Sequence, residues 1–116
     1  MGVRRIVPDF QSSDVREAVE FYSGLLGLEQ VMDHGWIVTL ADPNDPARQL
    51  SVASRDESAA VVPDVSIEVD DVDAVYALAQ QLGAEIVHPL TDEPWGVRRF
   101  FVKGPDRHVL NILSHP

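Results

Sequence analysis

With no cysteine among its 116 residues, this chain must do any chemistry with carboxylates, imidazoles, hydroxyls, amides and guanidinium groups. Disulfides, thiolate nucleophiles and cysteine-ligated zinc or iron–sulfur centres are excluded at once. The four histidines do not cluster. His34 falls in a turn, His88 at a strand end before Pro89, His108 at the start of the last strand and His115 in the tail. Each reads as a surface or structural residue. A Gly-x-Ser-x-Gly nucleophile turn and a phosphate-cradling glycine loop are both missing. What remains is polar residues at period two. Asp64, Ser66 and Glu68 alternate with Val65, Ile67 and Val69, the pattern of a strand with one apolar and one polar face. Gln49, Ser51 and Ala53, and then Val109, Asn111 and Leu113, supply further residues at the same spacing. An apolar sheet face packs on helices. The opposite face then gathers carboxylates, amides and hydroxyls. Such groups cost about 1–3 kcal/mol each when buried without partners, so this face is wet or holds a ligand.

Elements must place those residues. Val3 to Phe10 reads as a strand. Ser13 or Asp14 then caps a helix, with Glu17 three residues after Asp14 as in a capping box. Val15, Ala18, Val19, Tyr22, Leu25 and Leu26 keep helical spacing, and Gly27 ends the helix. Leu28 to Met32 and Gly35 to Ala41 read as strands. Asp42-Pro43-Asn44-Asp45-Pro46 reads as a loop, and Gln49 to Ser54 as a strand. Residues 55–63 connect. Asp70-Asp71 opens a second helix that Gly83 ends. Ala84 to His88, Val97 to Lys103 and His108 to Leu113 complete the strands.

At this length a single domain spanning residues 1–116 is expected, with module one over about 1–55 and module two over about 63–116. Nine Lys and Arg against 19 Asp and Glu leave a net charge of −10. That charge repels phosphate backbones and anionic lipids, so neither nucleic acid nor a membrane surface is an expected partner. The first residues lack an apolar run of signal length, and no window reaches the roughly 20 apolar residues of a membrane span. A soluble, cytoplasmic protein is the expectation.

The two halves repeat. Asp14-Val15 maps onto Asp71-Val72 at an offset of 57, and Gly27 onto Gly83 at an offset of 56. Each half reads strand, helix, three strands, and repetition of that kind governs the choice of fold. The offset also sets Val7, Asp9 and Gln11 beside Asp64, Ser66 and Glu68 as the inward residues of the two opening strands.

Two βαβββ units, the helix start Asp14-Val15 with Phe21-Tyr22, the exit Leu26-Gly27-Leu28, and Phe101-Val102-Lys103-Gly104-Pro105-Asp106 before the last strand resemble the vicinal oxygen chelate superfamily. This is the glyoxalase, bleomycin-resistance and extradiol-dioxygenase group. Glu93-Pro94-Trp95-Gly96-Val97-Arg98-Arg99-Phe100-Phe101 is similar to its small bacterial members. The resemblance implies an α+β fold whose curled mixed sheet surrounds a ligand cleft, and a homodimer. It does not by itself fix an activity.

Family enzymes hold a divalent ion with ligands on the first and last strand of each module. Carried over, those positions are Val7, Ser51 (with Gln49 the other inward candidate), Asp64 and Asn111. Val7 offers no donor, so no metal and no cofactor is expected. The ligand-binding residues expected on the polar face and its rim are Asp9, Trp36, Ser51, Asp64, Ser66, Glu68, Trp95, Arg98 and Asn111. Indoles supply contact area and cation–π attraction. Of Arg98 and Arg99, alternation sends one inward. The function this implies is metal-independent binding of a small, flat, cationic or polar aromatic molecule, in the manner of drug or natural-product sequestration that gives antibiotic resistance. The alternative is a lyase, isomerase or dioxygenase of the same superfamily, using a carboxylate base such as Asp64 or Glu68, or a divalent metal completed by His108.

Overall fold

The computed structural model of the chain describes residues 2–116. Along the chain run β1 (Val3–Gln11), α1 (Val15–Leu26), β2 (Glu29–Asp33), β3 (Ile37–Asp42), β4 (Asp45–Ala53), β5 (Val65–Val69), α2 (Val72–Gln81), β6 (Glu85–Asp92), β7 (Arg98–Lys103) and β8 (Val109–Ser114). The order βαβββ therefore occurs twice, and the fold is α+β. Two compact units form: residues 7–62, and residues 63–116 together with the stretch ending at Ile6.

In the first unit the strand order is β2-β3-β4-β1, with β1 parallel to β4 and the other pairs antiparallel. Asp14 caps α1, its Oδ1 accepting from the Glu17 amide at 3.0 Å. Gly27 ends the helix at φ 68°, where a Cβ would be strained. On the helix side of the sheet the Phe10 ring rests 5.4 Å from Tyr22 of α1, and Val38, Leu40 and Val52 are buried. The expected loop over Asp42–Pro46 is a tight hairpin turn instead. Only Pro43 and Asn44 lie outside strands, and Asp42 pairs with Asp45. Asp42 and Asp45 make this work by accepting the amides of Asn44 and Ala47 at 2.8 and 3.1 Å. Pro46 is tolerated because the register shifts beside it, between Ala41 and Asp42, leaving no ladder bond for its missing N–H to break.

In the second unit the order is β5-β8-β7-β6, with β5 parallel to β8. Asp71 caps α2 by accepting the Ala74 amide at 3.1 Å, and Gly83 follows the helix at φ 69°. Val69, Val72, Ala79, Phe100 and Ile112 form the core between α2 and the sheet, with Tyr76 edge-on to Phe100 at 4.9 Å. Ser114 Oγ joins strand to helix, donating to the Val69 carbonyl at 2.9 Å and accepting the Val72 amide at 3.1 Å. The N-terminal stretch is tied here as well. The Asp70 amide donates to the Gly2 carbonyl at 3.0 Å, and Arg4 pairs with the Asp70 side chain. The Arg4 hydrogen bond holds the Asp70 carboxyl below its usual range. β6 runs to Asp92, past the expected end at His88. It continues through Pro89 because β6 lies at the end of this strand order and its pairing with β7 is broken by two register shifts, on either side of His88.

Candidate functional site

The polar face of each sheet lies opposite its helix. In the second unit one row crosses all four strands, in the register Ser66–Asn111–Phe101–His88. Asn111 Nδ2 donates to Ser66 Oγ at 3.0 Å. Asn111 is 8% exposed, and its Oδ1 is buried without a hydrogen-bond partner among the described residues. Such an acceptor forfeits about 1–3 kcal/mol unless something supplies a donor.

Beside this row stands a buried ionic cluster. Glu93 Oε2 receives Arg99 Nε at 2.5 Å and lies 3.2 Å from His88 Nε2. The guanidinium carbon of Arg99 lies 4.9 Å from the Trp95 ring centroid and 4.7 Å from that of Phe101. A planar cation between two aromatic faces gains quadrupole attraction as well as contact. The loop that carries Trp95 is closed by two backbone bonds, Glu93 N–H to the Val97 carbonyl at 2.8 Å and Gly96 N–H to the Glu93 carbonyl at 3.0 Å. Gly96 sits at φ 100°, a conformation costly for any other residue.

The next carboxylate of the face, Glu68, is held between Arg5 at 3.3 Å and His115 Nδ1 at 2.8 Å. The contact of Asp64 is with the backbone of β8. Its Oδ2 accepts the Val109 amide at 2.8 Å and fixes the start of β8. In the first unit the equivalent row is Asp9–Ser51–Thr39. All three are buried, and the Ser51 and Thr39 hydroxyls lie 2.7 Å apart. Trp36 stands before β3, stacked at 6.3 Å on His34, with its carbonyl accepting the Ser54 amide.

Of the expected residues in the second unit, Ser66, Asn111 and Glu68 share one face, and Trp95 covers its edge through Arg99. Arg98 is placed elsewhere. It sits on the helix side, bridging Asp73 at 2.8 Å and Asp92 at 3.1 Å. There it lines a groove of about 340 Å³ with Asp70, Asp73, Asp92, Glu93 and Ser114. The hydrogen bonds that Arg98 donates to Asp73 and then to Asp92 raise the Arg98 pKa, and Arg98 holds the Asp73 carboxyl below its usual range. The inward arginine is Arg99, because β7 turns alternate residues to alternate faces and Phe100 is committed to the α2 core. Thr39, His88 and Glu93 are the other members of the polar faces that sequence reasoning did not select. A signal for Glu93 existed in the acidic pair Asp92-Glu93 set six residues before the basic pair Arg98-Arg99.

The four inherited metal positions do not fit a divalent ion. Val7 is an apolar, buried side chain. The Ser51 hydroxyl is engaged with Thr39, Asp64 Oδ2 with the Val109 amide, and Asn111 Nδ2 with Ser66. Among the described residues no group of three or more His, Asp and Glu side chains converges as a metal site would require.

A family model described as the Glyoxalase/Bleomycin resistance protein/Dioxygenase superfamily matches residues 6–112. A glyoxalase/bleomycin resistance protein/dioxygenase superfamily member from Vibrio splendidus 12B01 superimposes with a TM-score of 0.73 at 17% identity, over 97% of this chain and 99% of its own. A structure described as NAD-dependent benzaldehyde dehydrogenase from Legionella pneumophila gives 0.76 at 20% identity, over 96% and 99%. Methylmalonyl-CoA epimerase from Mycobacterium tuberculosis gives 0.63 at 18%, over 99% and 88%. No curated protein matches. At these identities the structural likenesses establish the fold alone.

Proposed function

The chain belongs to the glyoxalase/bleomycin resistance protein/dioxygenase superfamily, and within it we propose a protein that binds a small, flat, polar organic molecule without a metal ion, sequestering a drug or natural product. The observation that carries this reading is Asn111. Its amide is fixed by Ser66 and leaves Oδ1 as a buried acceptor with no partner among the described residues. An organic N–H or O–H group satisfies that atom, and Trp95 at the edge of the same face offers area for a flat ring.

The sequence favours a cationic ligand because of its acidic residues. The neighbouring contacts favour a neutral one. Glu68 already faces Arg5 and His115, and Glu93 already faces Arg99. Asp64 is taken up by the Val109 amide. A further cation would find these carboxylates engaged.

A thermal-shift screen of neutral and cationic aromatic compounds in the presence of chelator tests the reading. Compounds that bind only the native state raise Tm. Neutral aromatic hits in chelator support it, and ligands that act only after divalent metal is restored contradict it. The same reading includes pairing with a second copy. Phe21 and Leu25 on α1 are 60% and 65% exposed, and the residues 57 further on, Leu78 on α2 and Leu82 at its C-terminal cap, are 41% and 83% exposed. Light scattering should give twice 12.8 kDa at micromolar concentration.

A further inference from the structure

His88 stands in an arrangement that ligand binding alone does not require. Its Nε2 and the Arg99 Nε meet the same oxygen of Glu93, at 3.2 and 2.5 Å. The Glu93 and Arg99 side chains are 2% and 5% exposed. A carboxylate that close to a buried guanidinium is ionised, and an ionised carboxylate only accepts. Nε2 therefore carries a hydrogen, and in the neutral ring Nδ1 carries the lone pair. His88 makes two contacts among the described residues, the one to Glu93 and a ring contact with Phe101 at 5.2 Å, and neither uses Nδ1. The His88 side chain is 12% exposed. The register shifts on both sides of His88 turn it onto the face that carries Asn111. A buried carboxylate that fixes an imidazole tautomer and leaves the other nitrogen open is the arrangement by which proteins prepare a base.

We propose that His88 is a proton-accepting residue, its Nδ1 taking the hydrogen of an acidic O–H group, a phenol or enol, on a flat molecule lying against Trp95. The O–H bond breaks and its electron pair stays on oxygen. An N–H bond forms at Nδ1. The imidazolium faces Glu93, whose charge Arg99 already balances, so the added positive charge is matched by the phenolate. Reversal returns the proton, and no co-reactant is needed. The proposal rests on the same polar face as the binding reading and names the ligand class that it would hold.

The test uses 4-nitrophenol, yellow as the phenolate and colourless as the phenol. Wild-type protein should turn the probe yellow at a pH where the free probe is mostly phenol. His88→Gln, which leaves Glu93 and Arg99 in place, should reduce that colour at least tenfold. Nitrogen-15 NMR of the free protein should show His88 protonated at Nε2, and Glu93→Gln should weaken that tautomer preference. Binding of the probe without colour would overturn the proposal while leaving the binding reading intact. An equal colour with His88→Gln, no colour with wild type, or an Nδ1–H tautomer would each overturn it too.

Discussion

Glu93 and Arg99 pair across the β6–β7 hairpin at the same six-residue separation as Asp92 and Arg98, but on opposite faces of the sheet. The inner pair meets at 2.5 Å with side chains 2% and 5% exposed, and the outer at 3.1 Å with 79% and 38% exposed. The two bridges close one loop, yet burial makes their energetics unlike.

Removing Arg99 strands an ionised carboxylate in a dry site. Arg99→Met should therefore cost about 3–5 kcal/mol, the loss typical of a broken buried pair. Arg98→Met should cost little, because water solvates Asp73 and Asp92 when Arg98 is gone. Urea unfolding of the two variants checks this. Similar losses at both sites would show that burial does not separate them.

Much of this architecture was legible because its signals are local. Asp14 and Asp71 cap helices by reaching amides three residues on, and Gly27 and Gly83 supply positive φ just beyond them. Such features depend on near neighbours, so spacing reveals them. The polar row Ser66–Asn111 was legible by alternation, since period two fixes the face of any residue in an unbroken strand. His88 was not, because register shifts on either side of it break the count along β6. Arg98 and Arg99 could not be told apart without the register that commits Phe100 to the α2 core. The stretch Asp42–Pro46 looked like a loop because Pro and Asp are rare within strands. A two-residue turn held by two Asp side chains is a cooperative solution that single-residue preferences do not show.

Asp73 sets an acid limb. Its carboxyl titrates below the ordinary 3.8 because Arg98 hydrogen-bonds the ionised form. A depressed folded-state pKa contributes stability that is fully present above the unfolded value and is lost as pH falls through the folded one. Stability from this contact should thus fade on acidification below about pH 4, and Asp73→Asn should flatten that part of the Tm–pH profile. The effect should be modest, since the Asp73 side chain is 62% exposed. It should shrink further in high salt. An unchanged acid limb in Asp73→Asn would assign the acid sensitivity to other carboxylates, Asp70 beside Arg4 first among them.

Purified protein should carry less than stoichiometric divalent metal. Val7 contributes no donor where the family places its first ligand, and Ser51, Asp64 and Asn111 are each held by a protein partner. Elemental analysis after dialysis against zinc, nickel and manganese measures this directly. About one ion per chain, lost in Asp64→Ala, would contradict the expectation. Asp64→Ala should instead show a stability loss of about 1 kcal/mol from the unpaired Val109 amide, with metal content unaltered.

Asn111 separates a residue kept for function from one kept for folding. Its Oδ1 is buried without a partner among the described residues, which disfavours the folded state, while its Nδ2 bond to Ser66 favours it. Asn111→Leu removes both and fills a similar volume with apolar atoms. Ser66 is half-buried and has other contacts, so its hydroxyl is not stranded. The substitution should therefore be neutral or stabilising, within about 1 kcal/mol, since replacing imperfectly satisfied buried polar groups by apolar ones of like shape costs little. The Tm increase produced by any aromatic hit should disappear in the same variant, because the ligand loses its acceptor. Calorimetric titration should show at least a tenfold weaker Kd, about 1.4 kcal/mol. Asn111→Asp sharpens the comparison: a buried carboxylate beside Phe101 and Leu113 should destabilise the free protein and bind donors more strongly once ionised. If Asn111→Leu instead unfolds the protein while ligands still bind the folded fraction with wild-type affinity, Asn111 belongs to the scaffold, and the ligand site must be sought elsewhere.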